Sequence, residues 1–101
     1  MLGADPAALR EARAALWEEK LQMLAAALSI PLEGLPKLHS AEGKVQLAAA
    51  MKLTTSVSNA WLAERLDMGE PASVSQYVRR FRLSGGPEAK AFRQALSRVN
   101  P

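Results

Sequence analysis

The sequence predicts an all-α fold: a single small helical domain of about five helices. Three observations carry this expectation. Apolar residues recur at helical spacing, as in Val74, Val78 and Phe81 at i, i+4 and i+7. Runs alternating apolar and polar residues, the mark of a half-buried strand, are absent. Gly and Pro fall between the periodic stretches, at Pro31, Gly34, Pro36, Gly69, Pro71 and Gly85 to Pro87, where they end helices instead of interrupting them.

Composition narrows the class further. A chain of 101 residues has room for one modest core, and an apolar content of 49% argues against disorder. The longest apolar stretch, residues 21–30, is broken by Gln22 and Ser29 and stopped by Pro31, too short to span a membrane. Met1 is not followed by a basic segment and an apolar core, so no secretory leader is read. With no cysteine, disulfides and thiolate chemistry are excluded, and a cytoplasmic location is expected. Charge is unevenly placed. Residues 1–36 hold three Lys/Arg against five Asp/Glu, while residues 37–101 hold ten against five. The basic part has the electrostatic footprint of a nucleic-acid binder.

Taken in order, Asp5-Pro6 opens the first helix, an N-cap followed by Pro where its missing N–H costs nothing. The helix is expected to run to about Ser29, roughly 35 Å at 1.5 Å per residue. Leu9, Leu16 and Met23 form one apolar stripe, and Trp17, Leu21, Leu24 and Leu28 a second beside it. One stripe can cover the core, which leaves the other for a partner. Residues 1–30 are therefore read as a packing and dimerisation helix, and residues 31–101 as the remaining domain. Residues 30–39 form a connector, with Leu32, Leu35 and Leu38 as pins into the core. Ser40 is expected to cap a helix from Ala41 to about Leu53, burying Val45, Leu47, Ala48 and Met51, and Thr54 to Ser56 make a polar break.

Residues 58–83 then read as two helices joined by a turn. Ser58 caps the first, and Gly69 is expected to end it in the left-handed conformation. Small Ala63 lets a second helix cross closely. Ser73 is expected to cap that second helix, with Ser75, Gln76, Arg79 and Arg80 opposite its apolar side. The central core is expected to hold Trp61, Leu62, Leu66, Val74, Val78 and Phe81. Ser84 to Gly86 reads as a hinge, and Pro87-Glu88 as the start of a last helix whose apolar side is Ala91, Phe92, Ala95, Leu96 and Val99.

The pattern over 58–83 is that of a helix-turn-helix, whose second helix enters the major groove of double-stranded DNA. On this reading Ser73, Ser75, Gln76 and Arg79 face bases, since Gln can make two bonds to adenine and Arg two to guanine. Arg80, Arg82, Lys52, Arg65 and Thr55 would hold phosphates, which position without specifying sequence. The alternative is a helical adaptor that pairs through the first helix and touches no DNA. Catalytic chemistry finds no footing. His39 is the single histidine and cysteine is absent, so a zinc site is not expected. No serine has a base to activate it, Glu42-Gly43-Lys44 lacks a Gly-rich approach, and no cofactor is expected.

The order Thr54-Thr55, Trp61-Leu62-Ala63-Glu64-Arg65-Leu66-Asp67-Met68-Gly69 and Val74-Ser75, with Glu19-Lys20, Leu24, Leu28, Lys44, Leu47-Ala48 and Leu53 ahead, resembles a known family. It is similar to the C-terminal helix-turn-helix region of REP-associated tyrosine transposase-like bacterial proteins, over roughly residues 17–82. The resemblance implies a DNA-binding part normally attached to a nuclease. That family's paired histidines and nucleophilic tyrosine have no counterpart in this sequence, and Tyr77 lies on the second helix of the motif. The resemblance therefore implies the accessory DNA-binding part alone, a non-enzyme, with double-stranded DNA and a second copy bound through residues 9–28 as partners.

Overall fold

The computed structural model describes residues 5–99. Residues 1–4 and 100–101, at the outer edges of the two expected segments, lie outside the described residues. Five α-helices follow one another: α1 (Pro6–Leu28), α2 (Glu42–Thr54), α3 (Asn59–Arg65), α4 (Pro71–Leu83) and α5 (Lys90–Val99), with a single 3-10 turn at Gly86–Glu88. No strand occurs among the described residues, so the all-α class holds.

The central element is α2. Leu47, Ala48, Ala49, Ala50 and Met51 are all fully buried. Five consecutive buried residues cover every direction around a helix of 3.6 residues per turn, so α2 is enclosed all round. Three of the five are alanine, which lets its neighbours approach closely. α1 and α4 pack on α2, α3 packs on α4, and α5 packs on α1.

Local chemistry accounts for the boundaries of α1. The Asp5 carboxylate accepts from Ala7 N–H at 3.2 Å, and Pro6 is the first helical residue. Ser29 closes the helix in the left-handed conformation, φ 58°, with Ile30 N–H donating to the Ala25 carbonyl at 2.9 Å. The two stripes part as their spacing requires. Leu21 and Leu24 are buried and Trp17 and Leu28 half-buried, whereas Leu9, Leu16 and Met23 remain 50%, 65% and 46% exposed.

Several local expectations are corrected. Ser40 does not cap α2; Ala41 stands at the cap, buried, without a side-chain bond. Leu32 and Leu35 reach the core, but Leu38 is exposed. Trp61 and Phe81 sit at the rim of the core, half-buried, and its centre is Leu62, Leu66, Met68, Val74 and Val78 with α2. Ser73 is the third residue of α4 and not its cap. Pro71, with φ preset for a helix, starts α4 two residues earlier, and Glu70 holds the cap position. Of the expected hinge, Ser84 and Gly85 are exposed and Gly86 is half-buried. A Cβ on Gly86 would overlap the Phe81 ring, so the turn is packed against α4. Pro87 and Glu88 belong to the 3-10 turn; Ala89 is extended, so α5 begins at Lys90, and Ala91 is exposed.

The end of α3 differs most. Gly69 does not terminate it; Asp67 does, in the left-handed conformation at φ 53°. Met68 N–H donates to the Ala63 carbonyl at 2.9 Å and Asp67 N–H to Glu64 at 3.4 Å, the pair of bonds that closes a helix around a left-handed residue. Gly69 is left-handed as well, φ 89°, within the turn to α4.

Candidate nucleic-acid interface

α4 is positioned by its buried side. Val74 and Val78 are buried and Tyr77 and Phe81 half-buried, with Phe81 packed on Phe92 of α5 at 5.1 Å between ring centroids. The remaining directions carry Ser75, Gln76, Arg79, Arg80 and Arg82, all exposed. Arg80 and Arg82 lie in the last turn, where cations suit the negative end of the helix.

Four of the nine residues assigned to DNA by sequence are brought together. Ser75, Arg79 and Arg82 of α4 line one open groove with Lys52 of α2 and Asn59 of α3. Val78 and Leu83 complete it, and no carboxylate lines it. Lys52 is held there because its ammonium donates to the Val57 carbonyl at 3.1 Å. Gln76 is exposed on α4 outside this groove, and Ser73 is half-buried at the start of the helix. Arg80 opens onto a separate depression with Tyr77, Phe81, Ser40 and Glu42.

Two assigned residues are engaged elsewhere. Arg65 donates through Nε and Nη2 to the Glu18 carboxylate of α1, the second bond at 2.9 Å. That bidentate pair holds the Glu18 carboxyl below its ordinary value, with a bond from Gln22 adding and partial burial opposing. The same pair pushes Arg65 upward. The Thr55 hydroxyl donates to the Met51 carbonyl at 2.7 Å and accepts from Val57 N–H at 3.1 Å, so it finishes α2 and turns the chain.

Sequence reasoning missed Asn59. Its Oδ1 is buried without a hydrogen-bond partner, at the edge of the basic groove. Its place beside the Ser58 cap gave no signal, because the groove arises only where α2, α3 and α4 pack together. Lys44, to which the sequence assigned no role, is 2% exposed.

Among the described residues no three His, Asp or Glu side chains stand together as a metal site, and no helix is long and apolar enough to cross a membrane. Compared with protein-family models, with curated proteins and with solved structures, the chain has no match.

Proposed function

We propose that this chain binds double-stranded DNA, with α4 entering the major groove. One observation carries the reading: Lys52, Arg79 and Arg82 converge on an open groove that no carboxylate lines. Cations of one sign in a concave surface focus the field that attracts a phosphate backbone. Ser75 and Arg79 supply base-directed donors in that groove, with Gln76 beside it; Arg82 and Lys52 supply phosphate contacts. The resemblance to the accessory part of transposase-like proteins agrees with this reading and extends it to a small DNA-binding regulator or a transposase-type accessory domain.

The test is a selection on random duplex DNA followed by titration in salt. Enrichment of one site is expected, with affinity falling by a log–log slope of about −0.9 for each phosphate neutralised. Duplex retention that ignores salt, or none at all, rejects the reading and leaves a helical adaptor.

A second reading concerns assembly. The exposed stripe of Leu9, Leu16 and Met23 favours pairing with a second copy through residues 9–28. Two copies of α4 would then read half-sites about 34 Å apart, one turn of DNA.

A further inference from the structure

The most deeply buried charged side chain among the described residues lies away from the groove. Lys44, in the first turn of α2, is 2% exposed, and its ammonium donates to the Asp67 carbonyl at 2.9 Å. Asp67 is the left-handed residue that ends α3. The Asp67 carbonyl stands just past the Leu66 cap of α3, near the negative end of that helix dipole, where a cation is favoured. His39 flanks the same turn from the connector. Its Nε2 lies 3.7 Å from Asp67 Oδ1, and a Cβ on Gly69 would lie 2.9 Å from its Nδ1. Both left-handed residues between α3 and α4 are thus held from outside those two helices.

We propose that Lys44 is a positioning residue: it fixes the angle at which α4 leaves α3, and so the presentation of Ser75, Arg79 and Arg82. Energetics favour this role over plain stabilisation. Lysine is almost never fully buried, because its ammonium loses water that one carbonyl replaces poorly. Replacing a buried ion by an apolar side chain of similar volume is often neutral or stabilising. What Lys44 adds is direction. Its donor reaches one carbonyl, whereas an apolar side chain would accept the turn in several arrangements. The tie also runs from α2, the helix on which α4 packs.

The binding part of the test rests on the DNA reading above; the exchange part does not. Lys44→Met and Lys44→Arg are compared with the wild type in helix content, melting midpoint, amide exchange at Asp67 and Met68, and affinity for the selected duplex. Lys44→Met is expected to keep its helix content and a melting midpoint equal to or above the wild type. Exchange at the two amides should quicken tenfold or more, and duplex affinity should fall tenfold or more, with both recovered in Lys44→Arg. A residue that only stabilised the fold would instead lower the midpoint. Unchanged exchange in Lys44→Met, or a lowered midpoint with affinity intact in the folded fraction, overturns the proposal. If Lys44→Met does not fold, Lys44→Gln, with a donor on a shorter stem, takes its place, and unchanged exchange there overturns it equally. If the wild type retains no duplex, the DNA reading falls and the exchange comparison alone decides the role of Lys44.

Discussion

Trp17 of α1 meets Trp61 of α3 edge-on, with ring centroids 5.7 Å apart and planes at 62°. This pair and the Glu18–Arg65 ion pair next to it join α1 to α3. Both rings are half-buried. Trp61→Ala should therefore cost about 2–3 kcal/mol, under the ~3–5 of a fully buried aromatic. A double-mutant cycle with Trp17→Ala should show coupling of about 0.5–1.5 kcal/mol, read from urea unfolding. Strict additivity would mean the rings do not touch in solution.

Acid should release the same junction. Arg65 holds the Glu18 carboxyl below its ordinary value of 4.5. The folded state therefore takes up this proton less readily than the unfolded chain, so the stabilisation is complete above about pH 4.5 and is lost as pH falls through the folded value. Both side chains are about one-third exposed, and solvent screening keeps the effect to roughly 1 kcal/mol or less. Urea midpoints of the wild type and Glu18→Gln should differ at pH 7 and converge in acid, once the pH has fallen below the lowered folded value of Glu18. A gap that persists in acid would exclude the ion pair as its source.

Arg79 and Arg82 separate specificity from affinity. Arg79→Ala should cost about 1–3 kcal/mol at the selected site and relax one base preference. Arg82→Ala should weaken all duplexes alike and reduce the salt slope by about 1. Both are exposed, so melting should stay within about 0.5 kcal/mol of wild type. Equal losses on all sequences for Arg79→Ala would move it to the phosphate group.

Leu16 is 65% exposed at the middle of the free stripe of α1. Sedimentation at micromolar concentration should show a dimer that Leu16→Glu converts to a folded monomer. A monomeric wild type removes the second copy as the partner of this stripe.

How far the sequence was legible depends on where each determinant sits. Asp5, Pro6 and Ser58 mark helix starts because a cap and the N–H it satisfies are two or three residues apart. The two stripes of α1 were separable because their spacing alone sets them on different sides. Gly69 alone was expected to end α3, because glycine is the easier left-handed residue, yet Asp67 takes that place. The residue that ties the carbonyl of Asp67 is Lys44, 23 positions away, which no local rule reaches. Arg65 was read as a phosphate ligand because no carboxylate stands three or four residues from it on its own helix; Glu18, 47 residues earlier, is its partner. The start of α4 was legible and misread: Glu70-Pro71 carried the signal that was given to Ser73. The centrality of α2 was hidden by its alanines, which register weakly as core residues yet are what lets three layers close around them.

The first turns of α1 have a consequence for the energetics of recognition. From Pro6 to Arg13 every residue is exposed, and Leu16 marks the same free length. A helical stretch this short is marginal in water by itself, and its order depends on continuation from the packed turns that follow. It belongs to the part of the molecule that opens locally at little cost, well below global unfolding. Whatever seats on the stripe must complete the ordering of this segment as it binds. The signature would be calorimetric: a negative heat-capacity change from the leucines it covers, accompanied by an unfavourable entropy from the turns it orders.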